Sequence, residues 1–176
     1  LFYFCLVFNS NSKSNLEGVF TNIKLAWNKE YPWEIAEGRM MGRDDDEQLH
    51  EVLLTKAFLI GRTEVHQNLY RAVTGENPSS FPSSNKPVES ITWLEACLFC
   101  NQYSLKMGLT PVYDIQLGKP MTVIWNKSNY GYRLPTEAEW ECAAKQARQE
   151  ESSFRGWYDR TSQLETHPVG QQSGLS

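Results

Sequence analysis

Two Thr-x-x-Glu boxes, Thr92-Trp93-Leu94-Glu95 and Thr136-Glu137-Ala138-Glu139, set the frame for any fold of this chain. In such a box the Thr hydroxyl accepts from a free amide of the first helical turn, and the Glu reaches back to the amide of the cap residue. Each box therefore predicts a helix start. The first predicted helix carries Ala96, Phe99, Cys100 and Tyr103 towards a stop at Gly108, and the second sets Trp140, Ala143 and Ala144 on one face. Between them, Val112-Tyr113-Asp114-Ile115 and Met121-Thr122-Val123-Ile124-Trp125 read as two strands turned by Gly118-Lys119-Pro120, a hairpin.

Upstream, Val52, Leu54, Phe58 and Ile60 sit at even spacings, as a strand with one inward face requires, and Gly61 ends the run. Val65, Leu69, Ala72 and Val73 follow helical spacing up to Gly75. The stretch 77–85 is a loop, extended by Pro78 and Pro82 and anchored by Phe81. The order strand, helix, loop, helix, hairpin, helix is that of a mixed α+β domain and not of a doubly wound sheet.

Residues 1–37 lack clear periodicity and read as an ill-defined leader or non-domain segment, with the domain taken as 38–176. The apolar octet Leu1–Phe8 has no initiator Met, which suggests a fragment; it reads either as the end of a signal peptide or as sequence outside any domain. Export would follow from the first reading. Bulky Phe4 before Cys5 argues against a lipoprotein site. The run Asp44-Asp45-Asp46-Glu47 reads as a solvated acidic loop, with calcium as the alternative.

The 6 Trp, 8 Tyr and 8 Phe residues are enough to hold together a domain with little regular structure. They read as a Trp-rich core around Trp93, Trp125 and Trp140, and not as a stacking surface. A net charge of −4, with scattered basic residues, argues against nucleic acid or an anionic membrane surface as the main partner. No apolar run approaches the ~20 residues of a membrane span. Cys97 and Cys100 form a C-x-x-C, which by itself is compatible with a redox pair or half a zinc site. On a helix the two thiols share a face, and we read them as small buried apolar groups.

No P-loop, G-x-G-x-x-G, G-x-S-x-G or H-E-x-x-H occurs. His50, His66 and His167 read as surface or capping residues. The specific signal is Gly131-Tyr132-Arg133-Leu134-Pro135-Thr136-Glu137-Ala138-Glu139-Trp140-Glu141. Pro135 keeps Leu134 extended, Thr136 caps the helix, and one of Glu137, Glu139 and Glu141 should pair with Arg133, a structural role. The block resembles the signature of the formylglycine-generating-enzyme-like (sulfatase-modifying factor) family. So do, in order, His50-Glu51-Val52, Ile60-Gly61-Arg62-Thr63-Glu64-Val65, Asn77-Pro78-Ser79-Ser80-Phe81 and Lys86-Pro87-Val88-Glu89. Thr92-Trp93 with Phe99-Cys100-Asn101, Gly108-Leu109-Thr110-Pro111-Val112-Tyr113 and Thr166-His167-Pro168-Val169-Gly170 continue the match.

The resemblance implies a C-type-lectin-like fold with short strands, a few helices and long packed loops. It also implies kinship with oxidases that convert a sulfatase cysteine in a C-x-P-x-R segment to formylglycine with oxygen and copper. Their copper-binding cysteine pair, and the G-N-V-W-E-W block that helps bind calcium, lie beyond the matched region, so copper and calcium find no ligands by transfer. Glu64, Asn77, Pro78, Trp93, Arg133, Leu134, Pro135, Thr136, Glu137, Glu139 and Trp140 are therefore expected as structural motif residues, with none assigned to catalysis, a cofactor or a metal. Cys97, Cys100 and Cys142 match helix positions; Cys100 falls where some members carry a disulfide cysteine. His66 stands where many members place a helix-capping Thr, so that end should be weaker or differently satisfied. Met41-Gly42-Arg43 also marks a shortened stretch before the acidic run.

Three functional classes follow: a non-catalytic binding or structural module, a sulfatase-activating oxidase represented in part, and another enzyme on the same scaffold, such as an iron-dependent sulfoxide synthase. A protein or peptide, such as a sulfatase cysteine segment, is the expected partner. If a late strand is missing, the strand near Val52–Ile60 should keep unpaired backbone groups, and the isolated chain should aggregate.

Overall fold

The computed structural model of the chain describes residues 6–9, 20–23, 54, 58–140, 142–143 and 165–170. Its elements are strands β1 (Val7–Asn9), β2 (Phe20–Ile23) and β3 (Phe58–Gly61), helices α1 (Gln67–Thr74) and α2 (Trp93–Lys106), and strands β4 (Tyr113–Gln116) and β5 (Thr122–Trp125). Helix and short strand are mixed without regular alternation, so the α+β class is observed. Among the described residues no helix is long and apolar enough to cross a membrane.

The sheet order is β1-β3-β2, with both pairs antiparallel and Val7 opposite Ile60. This corrects the expectation that the early strand is left unpaired: β3 is the central strand, flanked on both sides. Both flanking strands come from the stretch 1–37. At three and four residues they are too short for alternation to stand out against neighbouring Asn and Ser. The Val52 end of the expected strand and the acidic run at 44–47 lie outside the described residues.

The helix boundaries follow their punctuation. Gly75 closes α1 at φ +87°, a left-handed conformation that glycine adopts freely, and its N–H reaches the Arg71 carbonyl at 2.8 Å. At the other end His66 is the N-cap: its Nδ1 accepts from the Leu69 amide at 3.2 Å, so the imidazole supplies what a Thr would. In α2 both halves of the capping box form, with the Thr92 amide on Glu95 Oε2 at 2.6 Å and the Glu95 amide on Thr92 Oγ1 at 3.2 Å. The Lys106 ammonium donates to the Ala72 carbonyl and ties the end of α2 to α1.

The aromatic core differs from the expected one. Tyr70, Phe99, Tyr103 and Tyr132 form a stacked run, with successive ring centroids 5.1, 5.9 and 4.5 Å apart. Val65, Val73, Val88, Ile91 and Cys100 pack around it. Trp93 is 51% exposed and Trp140 55%. Trp93 is the first residue of α2, on the stripe of Ala96, Cys97 and Cys100 but at the end of the helix, where the core no longer covers it, and Trp140 is turned away from the buried Glu139 by one helical step of about 100°. A second cluster joins Val7, Phe58, Ile60 and Cys142, so the sheet and the helix that begins after Thr136 share a core.

Candidate functional site

The Arg133 motif is the junction of these parts. Its backbone pairs with Val7 through Val7 N–H to the Arg133 carbonyl at 2.8 Å and Arg133 N–H to the Val7 carbonyl at 3.0 Å. Its guanidinium is buried and bidentate on Glu139, with both N–O distances 2.6 Å. Glu139 also completes the second capping box, accepting from the Thr136 amide at 2.8 Å while its own amide donates to Thr136 Oγ1 at 3.3 Å. Burial pushes the Glu139 carboxyl up, but the Arg133 and Thr136 hydrogen bonds and the Arg133 charge outweigh it and leave it below the usual carboxylate value. One carboxylate thus starts the helix and neutralises the buried cation, while Glu137 is exposed.

Immediately before Arg133, the main chain runs too close to α2 for any side chain. A Cβ at Gly131 would stand 2.5 Å from the Thr110 carbonyl oxygen and 2.6 Å from Ser104 Oγ. That hydroxyl is already committed, donating to the Cys100 carbonyl at 2.7 Å and accepting from the Tyr132 amide at 2.8 Å.

Around this junction lies a shallow cleft of about 190 Å³ lined by Trp93, Tyr113, Val123, Trp125, Leu134, Pro135 and Thr136. The Arg133 guanidinium stacks on the Trp125 ring at 4.9 Å, and Lys127 Nζ lies 5.2 Å from the same ring. The Tyr113 hydroxyl accepts from the Leu134 amide at 3.0 Å, which fixes the cleft floor to the motif. Trp93, Leu134, Pro135 and Thr136, named from the sequence as motif residues, thus come together here with Arg133 and Glu139 beside them. Tyr113, Val123 and Trp125 were assigned no site role. The signal was present, because Val123 and Trp125 alternate onto one face of a predicted strand.

The other motif residues lie apart. Asn77 donates to Gln67 Oε1 at 3.0 Å, which also accepts from the Ser83 amide at 2.8 Å, while Gln67 Nε2 reaches the Phe81 and Pro87 carbonyls. The fully buried Gln67 therefore holds the loop that Asn77 and Pro78 open. Glu64 is half-buried beside β3, and its carboxylate has no hydrogen-bond partner among the described residues. The 165–170 loop closes on the same region, with the Val169 amide on the Asn85 carbonyl at 2.8 Å and Glu165 3.6 Å from Lys86.

Cys97, Cys100 and Cys142 are buried in the core, and Cys97 and Cys100 are free thiols. Burial pushes the Cys97 thiol up to about 11, despite a Tyr113 hydrogen bond acting the other way, and raises Cys100 well above the ordinary thiol value. In the absence of a metal both thiols are therefore held in the protonated form, which suits packing in the apolar core. In a Cys5→Ser/Cys142→Ser variant, Cys97 and Cys100 are expected to stay unmodified by dithiobis(nitrobenzoate) in native buffer and to react once denaturant unfolds the chain. Rapid native labelling would show an exposed thiolate. Among the described residues no three His, Cys, Asp or Glu gather as a metal site would need.

Comparison with known proteins gives three findings. A family model described as the sulfatase-modifying factor enzyme 1-like domain matches residues 33–172. The chain is 42% identical over 99 residues to the chaperone protein LppX of Paenibacillus barcinonensis, an overlap of 49% of this chain and 35% of that protein. Among solved structures, Treponema denticola variable protein 1 superposes with a TM-score of 0.60 at 31% identity, covering 73% of this chain and 60% of the other. The chain thus spans about a third of the length of the first relative and about three fifths of the second.

Proposed function

This chain belongs to the sulfatase-modifying factor enzyme 1-like family, and from that premise we propose that it acts as a non-catalytic binding or structural module on a C-type-lectin-like fold. The observation that carries the proposal is the exposed aromatic cleft built on the Arg133–Glu139 junction. Trp93 stands half in solvent at its wall, although burying its ring elsewhere would stabilise the chain. A floor tied by part-buried hydrogen bonds, with the exposed Trp93 and the half-buried Tyr113 and Trp125 along it, is a surface suited to holding a ligand. The buried, protonated thiols next to it are suited to packing and not to oxidation chemistry. The fold assignment is supported by short strands, a few helices, long hydrogen-bonded loops and the superposition on the Treponema protein. The same reading takes 38–176 as the N-terminal and central part of the domain and 1–37 as its leader, tied to it through β1 and β2.

The Paenibacillus relative is named a chaperone protein, and a polypeptide ligand for this cleft is in keeping with that name. The competing reading is part of a copper-dependent oxidase acting on a sulfatase cysteine, which the family description favours. A single reaction separates them. With copper and oxygen, the chain is expected to leave the mass of a C-x-P-x-R peptide unchanged. Formation of the aldehyde, seen by mass spectrometry as loss of the cysteine sulfur, would establish the oxidase instead.

A further inference from the structure

The hairpin beside the cleft has one strand edge that no described residue pairs, and its phase follows from Asn101. That side chain takes both backbone groups of Tyr113, accepting from the amide at 3.1 Å and donating to the carbonyl at 2.7 Å. The Tyr113 N–H and C=O therefore point away from β5. Directly opposed residues of an antiparallel pair turn their backbone groups the same way, both towards the partner or both away. Tyr113 is opposite Trp125 and Ile115 opposite Val123, so Trp125 and Val123 turn their N–H and C=O away from β4. The Asn126 amide on the Val112 carbonyl at 2.8 Å, one residue along, is the inward-bonded phase this requires. No described residue hydrogen-bonds to these outward groups of Val123 and Trp125.

The same two residues line the cleft with their side chains. A strand laid along β5 would set its alternate side chains on the face of Tyr113 and Trp125, against Trp93, Leu134 and Pro135. Main-chain hydrogen bonds would supply affinity, and the cleft would select the side chain. A flat or sugar-like ligand could cover the Trp rings but would leave the backbone groups of the edge unmatched. Charge adds a direction. Of the two cations at Trp125, Arg133 is already bidentate on Glu139, whereas Lys127 is exposed and has no acidic partner among the described residues.

We infer that the outer edge of β5 receives an extended peptide segment of another protein, which adds a strand to the hairpin, seats an apolar side chain in the cleft and brings an acidic residue to Lys127. This deepens the binding-module reading and rests on it.

The probe is a fluorescent hexapeptide of alternating Val and Thr with one terminal Asp, titrated into the full chain by anisotropy. Saturable binding is expected. N-methylation of alternate peptide amides should weaken it about tenfold, the scale of one or two lost hydrogen bonds. In the protein, Val123→Pro removes an outward N–H that the β4–β5 ladder does not use, which an edge strand tolerates. It should cause a similar loss, and Lys127→Glu should favour a peptide ending in Lys over one ending in Asp. If Val123→Pro does not fold, the methylated peptide on the unaltered chain still decides. Equal affinity for plain and methylated peptides, or no binding at millimolar peptide, would overturn the inference. So would a concentration-dependent dimer in sedimentation that Val123→Pro dissolves, because a second copy would then hold the edge. Aldehyde formation on the C-x-P-x-R peptide is a separate readout and bears on the binding-module reading alone.

Discussion

Arg133→Ala is expected to lower the unfolding free energy by about 3–5 kcal/mol, the scale of a buried ion pair broken on one side. The loss does not measure the strength of the salt bridge. It arises because Glu139 stays buried with no cation to neutralise it. The guanidinium also donates to the Leu134 carbonyl at 3.1 Å and stacks on Trp125, so the cleft floor should loosen with it. Replacing both partners by apolar residues of similar size, Arg133→Met with Glu139→Leu, should recover much of the loss by removing the stranded charge. Acid provides an independent check. The folded-state carboxyl of Glu139 lies below its unfolded value, so its contribution is complete above the ordinary carboxylate range near ~4.3 and is lost as the pH falls through the lower folded value. Denaturant midpoints measured across that acid range should fall for the unaltered chain and fall less for Glu139→Gln. A loss below about 1 kcal/mol for Arg133→Ala would place the pair in the solvated regime.

The parts of this fold that were legible in sequence are those fixed by local chemistry. Both Thr-x-x-Glu boxes form as read, because a cap and its reciprocal carboxylate act within three residues. The hairpin and the Gly75 stop are of the same kind. A pairing partner for Arg133 was also expected among three carboxylates, left open between them; it is Glu139, which turns inward and completes the cap as well. What was not legible depends on distant segments. β1 and β2 carry almost no pattern of their own, and their pairing is set by β3 more than thirty residues away. The cleft was missed for a related reason. A Trp at the first position of a helix reads as core by composition, and only the assembled hairpin, which arrives alongside, makes it the wall of an open groove. Glu64 remains a motif residue whose carboxylate has no hydrogen-bond partner among the described residues.

The core and the cleft should separate cleanly in mutagenesis, because the sequence put the large aromatic residues in the wrong one. Phe99→Ala should cost about 3–5 kcal/mol, through lost burial and the cavity left behind. Phe99 is fully buried on the inner face of α2, stacks on Tyr70 of α1 at 5.1 Å and on Tyr103 at 5.9 Å, and so carries the contact between the two helices. Tyr103 passes the stack to Tyr132, the residue before Arg133, and the hole should therefore weaken the motif as well. Trp93→Ala removes a larger ring, but one that is half in solvent, and should change stability by no more than about 0.5 kcal/mol. Were the chain built on a Trp core, the order of the two losses would be reversed. Thermal melts of the two variants therefore decide between the packings, and a Trp93→Ala protein that melts normally is also the stable background in which loss of peptide binding can be assigned to the cleft.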